Sequence, residues 1–301
     1  MSDLADAPVL TAETSRPLQG VLWMLASGLS FVAVNGIVRY LGTDLPAAQS
    51  AFIRFGFGVL LLAPMLGSLL RGGFAPGVLR LYAGRGLAHT LAVVCWFYAM
   101  ARIPVAEATA IGYLNPVLVA LGAALLFGEG LAARRVLAIA VALVGAVIVL
   151  RPGVREVTGG HYAQMAAAVC FAASYLFAKE VSRTESAARV VAMMSLSVAI
   201  GLAPVAWWVW VPVTLAQLAW LALVAGFATV GHFCMTKAFR AAPLAVTQPV
   251  VFLQLVWATL LGTLVFDEAV DGFVLLGGAV IIGAISVLTW RETVARRRAS
   301  A

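Results

Sequence analysis

YAMARIPVAEATAIGYLNPVLVALGAALLFGE (98–129) and KAFRAAPLAVTQPVVFLQLVWATLLGTLVFDE (237–268) align without a gap at an offset of 139 residues. Ala99 meets Ala238, Pro104 meets Pro243, Ala106 meets Ala245, Phe127 meets Phe266 and Glu129 meets Glu268. Upstream the register is 140: Gly20 meets Gly160, Phe31 meets Phe171, Arg39 meets Lys179 and Pro64 meets Pro204. A near-constant offset over this length is an internal repeat. It divides the chain into two units, 18–151 and 160–290. Between them lies a connecting loop (152–159), and short tails flank them (1–17 and a basic 291–301).

The apolar runs set the class. Only 11% of the 301 residues are charged and 63% are apolar, whereas a soluble domain carries about 25% charge. So few charges cannot cover a water-facing surface, which excludes a cytosolic enzyme, a nucleic-acid binder and a disordered chain. Ten runs approach the ~20 residues a spanning helix needs: 18–40, 47–70, 79–102, 106–127, 134–151, 160–182, 188–211, 214–238, 244–266 and 272–290. They are continuously apolar and about twice barrel-strand length, so they read as helices. The expected fold is an all-α polytopic membrane protein with ten transmembrane helices. Each unit holds five spans, an odd number, so the second inserts upside down relative to the first. Inverted repeats of this kind are typical of secondary transporters.

Charge placement orients the chain. Of 20 Lys/Arg, 14 fall on the side of the termini and 4 on the other (Arg39, Arg102, Arg151 and Arg155). Arg85 lies near a boundary and Arg54 inside a span. Both termini are therefore expected in the cytoplasm. The net charge of +7 sits in short clusters between apolar runs, which argues against a nucleic-acid partner. Cys95, Cys170 and Cys234 lie inside apolar runs, without paired or metal-like spacing. No phosphate loop, nucleophile–base set or metal-ligand spacing occurs, so neither catalytic residues nor a cofactor is expected.

Function must then come from polar groups between helices, where their cost is offset by a cavity or a partner. Helical spacing groups Trp23 with Ser27 and Phe31, His89 with Trp96, Ala108 with Asn115, and Gln164 with Phe171 and Tyr175. Thr229, His232 and Thr236 form another stripe, as do Thr247 and Gln254. Trp23, His89, Trp96, Tyr113, Asn115, Gln164, Phe171, Tyr175, His232 and Gln254 are the candidate solute-binding residues. The stripes are expected to meet in one central cavity built from the first, third, fourth, sixth, eighth and ninth spans. Each could equally serve an interhelical hydrogen bond. Pro116 and Pro249 remove a backbone donor and, with Gly112, are candidate hinges. Glu107, near the end of its span, is a possible proton site within reach of Arg102 or water. Arg54 reads as a packing or snorkelling residue, with an anion site as the other option. Ala142/Ala146 and Ala279/Gly283 read as close-packing pairs of the fifth and tenth spans.

The chain resembles the EamA-type members of the drug/metabolite transporter superfamily. The family pattern has an Arg-Phe in the second span, a proline in the fourth, and a glutamate closing the fourth and ninth. These match Arg54-Phe55, Pro116, Glu129 and Glu268. The chain departs in the ninth span, where the proline is Pro249 and Leu255 stands opposite Pro116. The two halves are therefore expected to break their helices at different depths. The resemblance implies a multi-pass protein of the bacterial inner membrane, monomeric, that exports small metabolites by alternating access. The exporters it most resembles suggest neutral or aromatic amino acids as solutes. An intramembrane enzyme and a non-transporting scaffold are the competing classes. The first would need a reactive constellation at membrane depth, the second a dry interior.

Overall fold

A computed structural model describes residues 17–70, 73–74, 76–127, 133–154, 156–181, 184–242, 247 and 250–299. Eleven helices are assigned over these residues: α1 (Pro17–Leu41), α2 (Ala47–Leu70), α3 (Val78–Met100), α4 (Val105–Gly112), α5 (Leu114–Phe127), α6 (Ala133–Leu150), α7 (Gly159–Val181), α8 (Ala187–Trp208), α9 (Leu215–Ala241), α10 (Leu253–Phe266) and α11 (Gly272–Ala299). The fourth span comprises α4 and α5, so the helices amount to ten spans. The chain is an all-α polytopic membrane protein built as two inverted five-helix repeats.

Local chemistry sets the helix ends. Pro17 opens α1, where a missing N–H costs nothing. Thr214 and Gln217 form a reciprocal capping box at the start of α9. Ser186 accepts from the Arg189 N–H at the start of α8. Gly77, at φ 81°, precedes α3 in a left-handed conformation that suits glycine. α11 runs past the expected end at 290 into the basic tail.

The outer surface is apolar, as lipid requires. Leu22, Leu29, Leu60, Leu87, Leu143, Val147, Ile200 and Leu264 are all exposed. α1, residues Ala47–Pro64 of α2, and most of α8 and α9 are each long and apolar enough to cross a bilayer on their own. α3 and α7 carry more polar side chains and pack extensively against each other.

Helix pairing follows a pseudo-twofold axis. α3 packs on α7 as α1 packs on α9, while α2 meets α8 and α6 meets α11 across the axis. Pro64 in α2 and Pro204 in α8, 140 apart, both lie inside helices. The α6–α11 contact is close because Gly145 and Gly277 face it. A Cβ on Gly277 would stand 2.5 Å from the Gly145 carbonyl oxygen, and one on Gly145 would stand 2.8 Å from the Gly277 carbonyl oxygen. Ala142 and Ala146 are buried there as expected. Ala279 and Gly283 are not: both are exposed, and a Cβ on Gly283 would meet nothing within 4 Å. The period of four was read correctly on α11, but on the wrong face.

The helix breaks also differ from expectation. The fourth span breaks at Tyr113 and the ninth at Phe252, and these residues are 139 apart. The two halves therefore break at the same depth, despite prolines at different positions. Pro116 follows its break by three residues, whereas Pro249 precedes Phe252 by three in the sequence. At each break the ladder tightens to i→i−3 bonds, Tyr113 N–H to Ala110 O (3.2 Å) and Leu255 N–H to Phe252 O (3.2 Å). The two break residues touch. The Tyr113 hydroxyl donates to the Phe252 carbonyl (3.3 Å), and their rings meet edge to face at 5.6 Å.

Candidate functional site

A cavity of about 390 Å³ occupies the centre of the bundle, beside the two breaks. It falls within the roughly 300–1,000 Å³ of small-molecule pockets. α1 supplies Phe31, Val34 and Asn35, and α2 supplies Arg54 and Phe55. α3 contributes His89, Val93, Trp96, Phe97 and Met100. Ala108, Thr109, Gly112, Tyr113, Asn115 and Pro116 line it from α4, the break and α5. Gln164, Ala168, Phe171 and Tyr175 come from α7, Ala228, His232 and Met235 from α9, and Val251 and Gln254 from the second break. The wall takes nothing from α6, α8 or α11 among the described residues.

Nine of the ten candidate binding residues therefore face one space. The exception is Trp23. It shares a helix face with Phe31 but lies about 12 Å further along the axis, where it packs edge-on against Phe233. Pro249, the second proposed hinge, lies outside the described residues, as does Glu129.

The wall is aromatic, with polar groups at intervals. His89 stands edge-on between Phe55 (6.0 Å) and Phe171 (5.2 Å), and its Nδ1 is 3.1 Å from the Ser174 hydroxyl. The other half repeats the arrangement: His232 meets Phe31 edge-on at 5.1 Å. Phe171 and Phe31 are repeat mates, so each Phe–His pair joins a phenylalanine of one half to a histidine of the other. Asn115 donates to the Ala168 carbonyl (3.2 Å) and Gln164 to the Ala108 carbonyl (3.0 Å), so both amides stitch the broken span to α7. Each keeps a carbonyl oxygen, and Gln164 Oε1 is buried without a hydrogen-bond partner among the described residues. A Cβ on Gly112 would come 3.4 Å from the Gln164 Nε2.

Glu107 lies elsewhere. It borders a separate small cavity of about 20 Å³ with Thr259 and Thr263 and is 5% exposed. It pairs with His161, whose Nε2 is 2.8 Å from Glu107 Oε2. The Thr158 N–H donates to His161 Nδ1 (3.1 Å), which leaves the ring proton on Nε2, toward the carboxylate. Arg102 instead donates to the Tyr98 carbonyl and stacks over that ring. Glu268 ties the region together by accepting from Arg39 (2.9 Å) and from the Val105 N–H (2.9 Å).

Sequence reasoning passed over Asn35 and set Arg54 aside as a packing residue. Asn35 carried a signal: it is the repeat mate of Tyr175. Arg54 carried only its charge.

The pattern of the EamA-like transporter family matches residues 18–151 and 158–290. A riboflavin transporter of Rhizobium johnstonii is 32% identical to this chain, covering 96% of each. An S-adenosylmethionine uptake transporter of Rickettsia bellii is 27% identical over 91% of this chain and 94% of its own. The pseudopaline exporter CntI of Pseudomonas aeruginosa is 26% identical over 90% and 95%. A crystal structure 23% identical in sequence superposes with a TM-score of 0.55 over 93% of this chain and 96% of its own. These relatives are transporters rather than enzymes. This chain belongs to the EamA-like transporter family.

Proposed function

We propose that the central cavity carries a small metabolite with a flat ring system across the membrane by alternating access. The observation behind this reading is the two Phe–His units, each shared between the halves, in the wall of a cavity that also holds Trp96, Tyr113 and Tyr175. Ring faces and edges at this density suit a planar solute, and side-chain amides can fix its hydrogen-bonding groups. The riboflavin transporter relative, whose named solute is a fused heterocycle, supports it. The two helix breaks supply equivalent pivots beside the solute. Both termini are cytoplasmic in this proposal. Single cysteines in a cysteine-free background test that: position 2 should label from inside and position 158 from outside.

Export of neutral or aromatic amino acids is a second reading. Gln164 Oε1 favours it, because a buried acceptor without a partner would be satisfied by an ammonium. Uptake of labelled riboflavin and tryptophan into proteoliposomes separates the readings. Flux of either above that of empty liposomes supports its reading, and no flux of either rejects both.

A further inference from the structure

We propose that the transported solute carries one ionised acidic group, a carboxylate or a phosphate, and that Arg54 holds it. This deepens the reading above and rests on the central cavity being the solute site.

Arg54 is the eighth residue of α2, about 10 Å along the helix from its start. A charge at that depth costs a few kcal/mol unless water or a partner meets it. Arg54 does not escape to the lipid interface, because it lines the cavity. Its guanidinium carbon sits 4.0 Å from the centroid of the Phe55 ring, and Phe55 is 2% exposed. A rigid ring face thus holds the cation in place without using its N–H groups.

Those N–H groups have no protein acceptor among the described residues. Other arginines do. Arg39 reaches Glu268, Arg85 the Val190 carbonyl, Arg102 the Tyr98 carbonyl, Arg151 Asp271 and Arg189 Glu185. The described cavity wall contains no carboxylate. Five donors in a fixed planar fork therefore face the cavity uncompensated, a geometry that matches a carboxylate or a phosphate.

The helix break and the intrahelical proline recur in both halves, and the Phe–His contact recurs across the axis. Arg54 does not recur, since its mate 140 residues on is Met194, which is buried and takes a bond from Arg85. The described cavity wall therefore holds one such cation rather than a symmetry-related pair.

The test measures binding to the purified full chain by isothermal titration calorimetry. Two matched pairs are used: riboflavin against flavin mononucleotide, which adds a phosphate, and indole-3-ethanol against indole-3-acetate, which supplies a carboxylate. The charged member of at least one pair is expected to bind roughly tenfold tighter or more, and the pair that responds identifies the anion. Arg54→Gln should abolish that preference, and Arg54→Lys should keep part of it. Binding without charge preference in both pairs, or a preference undiminished in Arg54→Gln, overturns this proposal alone. No binding by any of the four compounds overturns the ring-solute reading and this proposal with it. The wild-type comparison needs no variant, so a poorly folded Arg54→Gln protein does not remove the test.

Discussion

Replacing Glu268 should loosen the bundle by an amount that the geometry lets us apportion. The side chain is 10% exposed and does two things at once. Its Oε2 accepts from the N–H of Val105, the first residue of α4, which has no intrahelical acceptor. Its Oε1 pairs with Arg39, in the last turn of α1 and 21% exposed. A hydrogen bond to a charged acceptor contributes about 1.5–3 kcal/mol, and a partly exposed ion pair about 1 kcal/mol or less. Glu268→Ala should therefore cost about 3 kcal/mol. Glu268→Gln keeps an acceptor for Val105 and loses the charge, so about 1 kcal/mol is expected. Gly262→Ala should shift stability in the same direction, because its Cβ would stand 2.5 Å from Glu268 Oε2 and displace the carboxylate. Denaturant unfolding in micelles, followed by helical circular dichroism, measures each variant. A double-mutant cycle with Arg39→Ala isolates the ion pair, with a coupling of about 1 kcal/mol or less. Equal losses for the Gln and Ala variants would refute the division, as would a cycle indicating that Arg39 and Glu268 repel each other.

Three further outcomes are expected. Gly277→Ala should destabilise by about 1–3 kcal/mol through overpacking against α6, while Gly283→Ala, with open space around its Cβ, should leave the unfolding curve unchanged. Asn115→Ala and Tyr175→Ala should each reduce proteoliposome flux, roughly threefold to tenfold for the loss of one hydrogen bond, and Trp23→Ala should not. His161→Ala should destabilise the fold by about 1.5–3 kcal/mol, because it removes the imidazole hydrogen bond to the buried Glu107 carboxylate; a variant as stable as the wild type would show that the bond contributes nothing.

Much of this architecture was legible because its determinants are local or periodic. A run of apolar residues announces a span wherever it occurs, and an offset of 139 or 140 announces the repeat. Polar stripes at helical spacing predicted which faces meet, and Asn115, Gln164 and Gln254 did meet. What escaped depends on groups distant in sequence or on axial position. Glu107 finds His161 at a separation of 54 residues, which no local spacing encodes. Trp23 falls on the same broad face as Phe31 but not at its depth. Arg54 could be recognised as costly, but only packing shows whether it turns toward lipid or toward the cavity. The break depth was misread because proline was taken as its cause at both sites. Tyr113 and Phe252 occupy the shared position, while the prolines stand on opposite sides of it.

The contact between those two residues carries a consequence for the resting carrier. Two chemically identical inverted halves would give the inward-facing and outward-facing forms the same energy, since a half-turn converts one into the other. Tyr113 has a hydroxyl and Phe252 has none, so the half-turn is not a true symmetry of this chain. A bond of about 0.6 kcal/mol, kept in one form and broken in the other, tilts two otherwise equal populations roughly threefold. In a carrier that alternates as proposed, the oxygen atom at the axis is one of the differences between the halves that would give the empty form a preferred side.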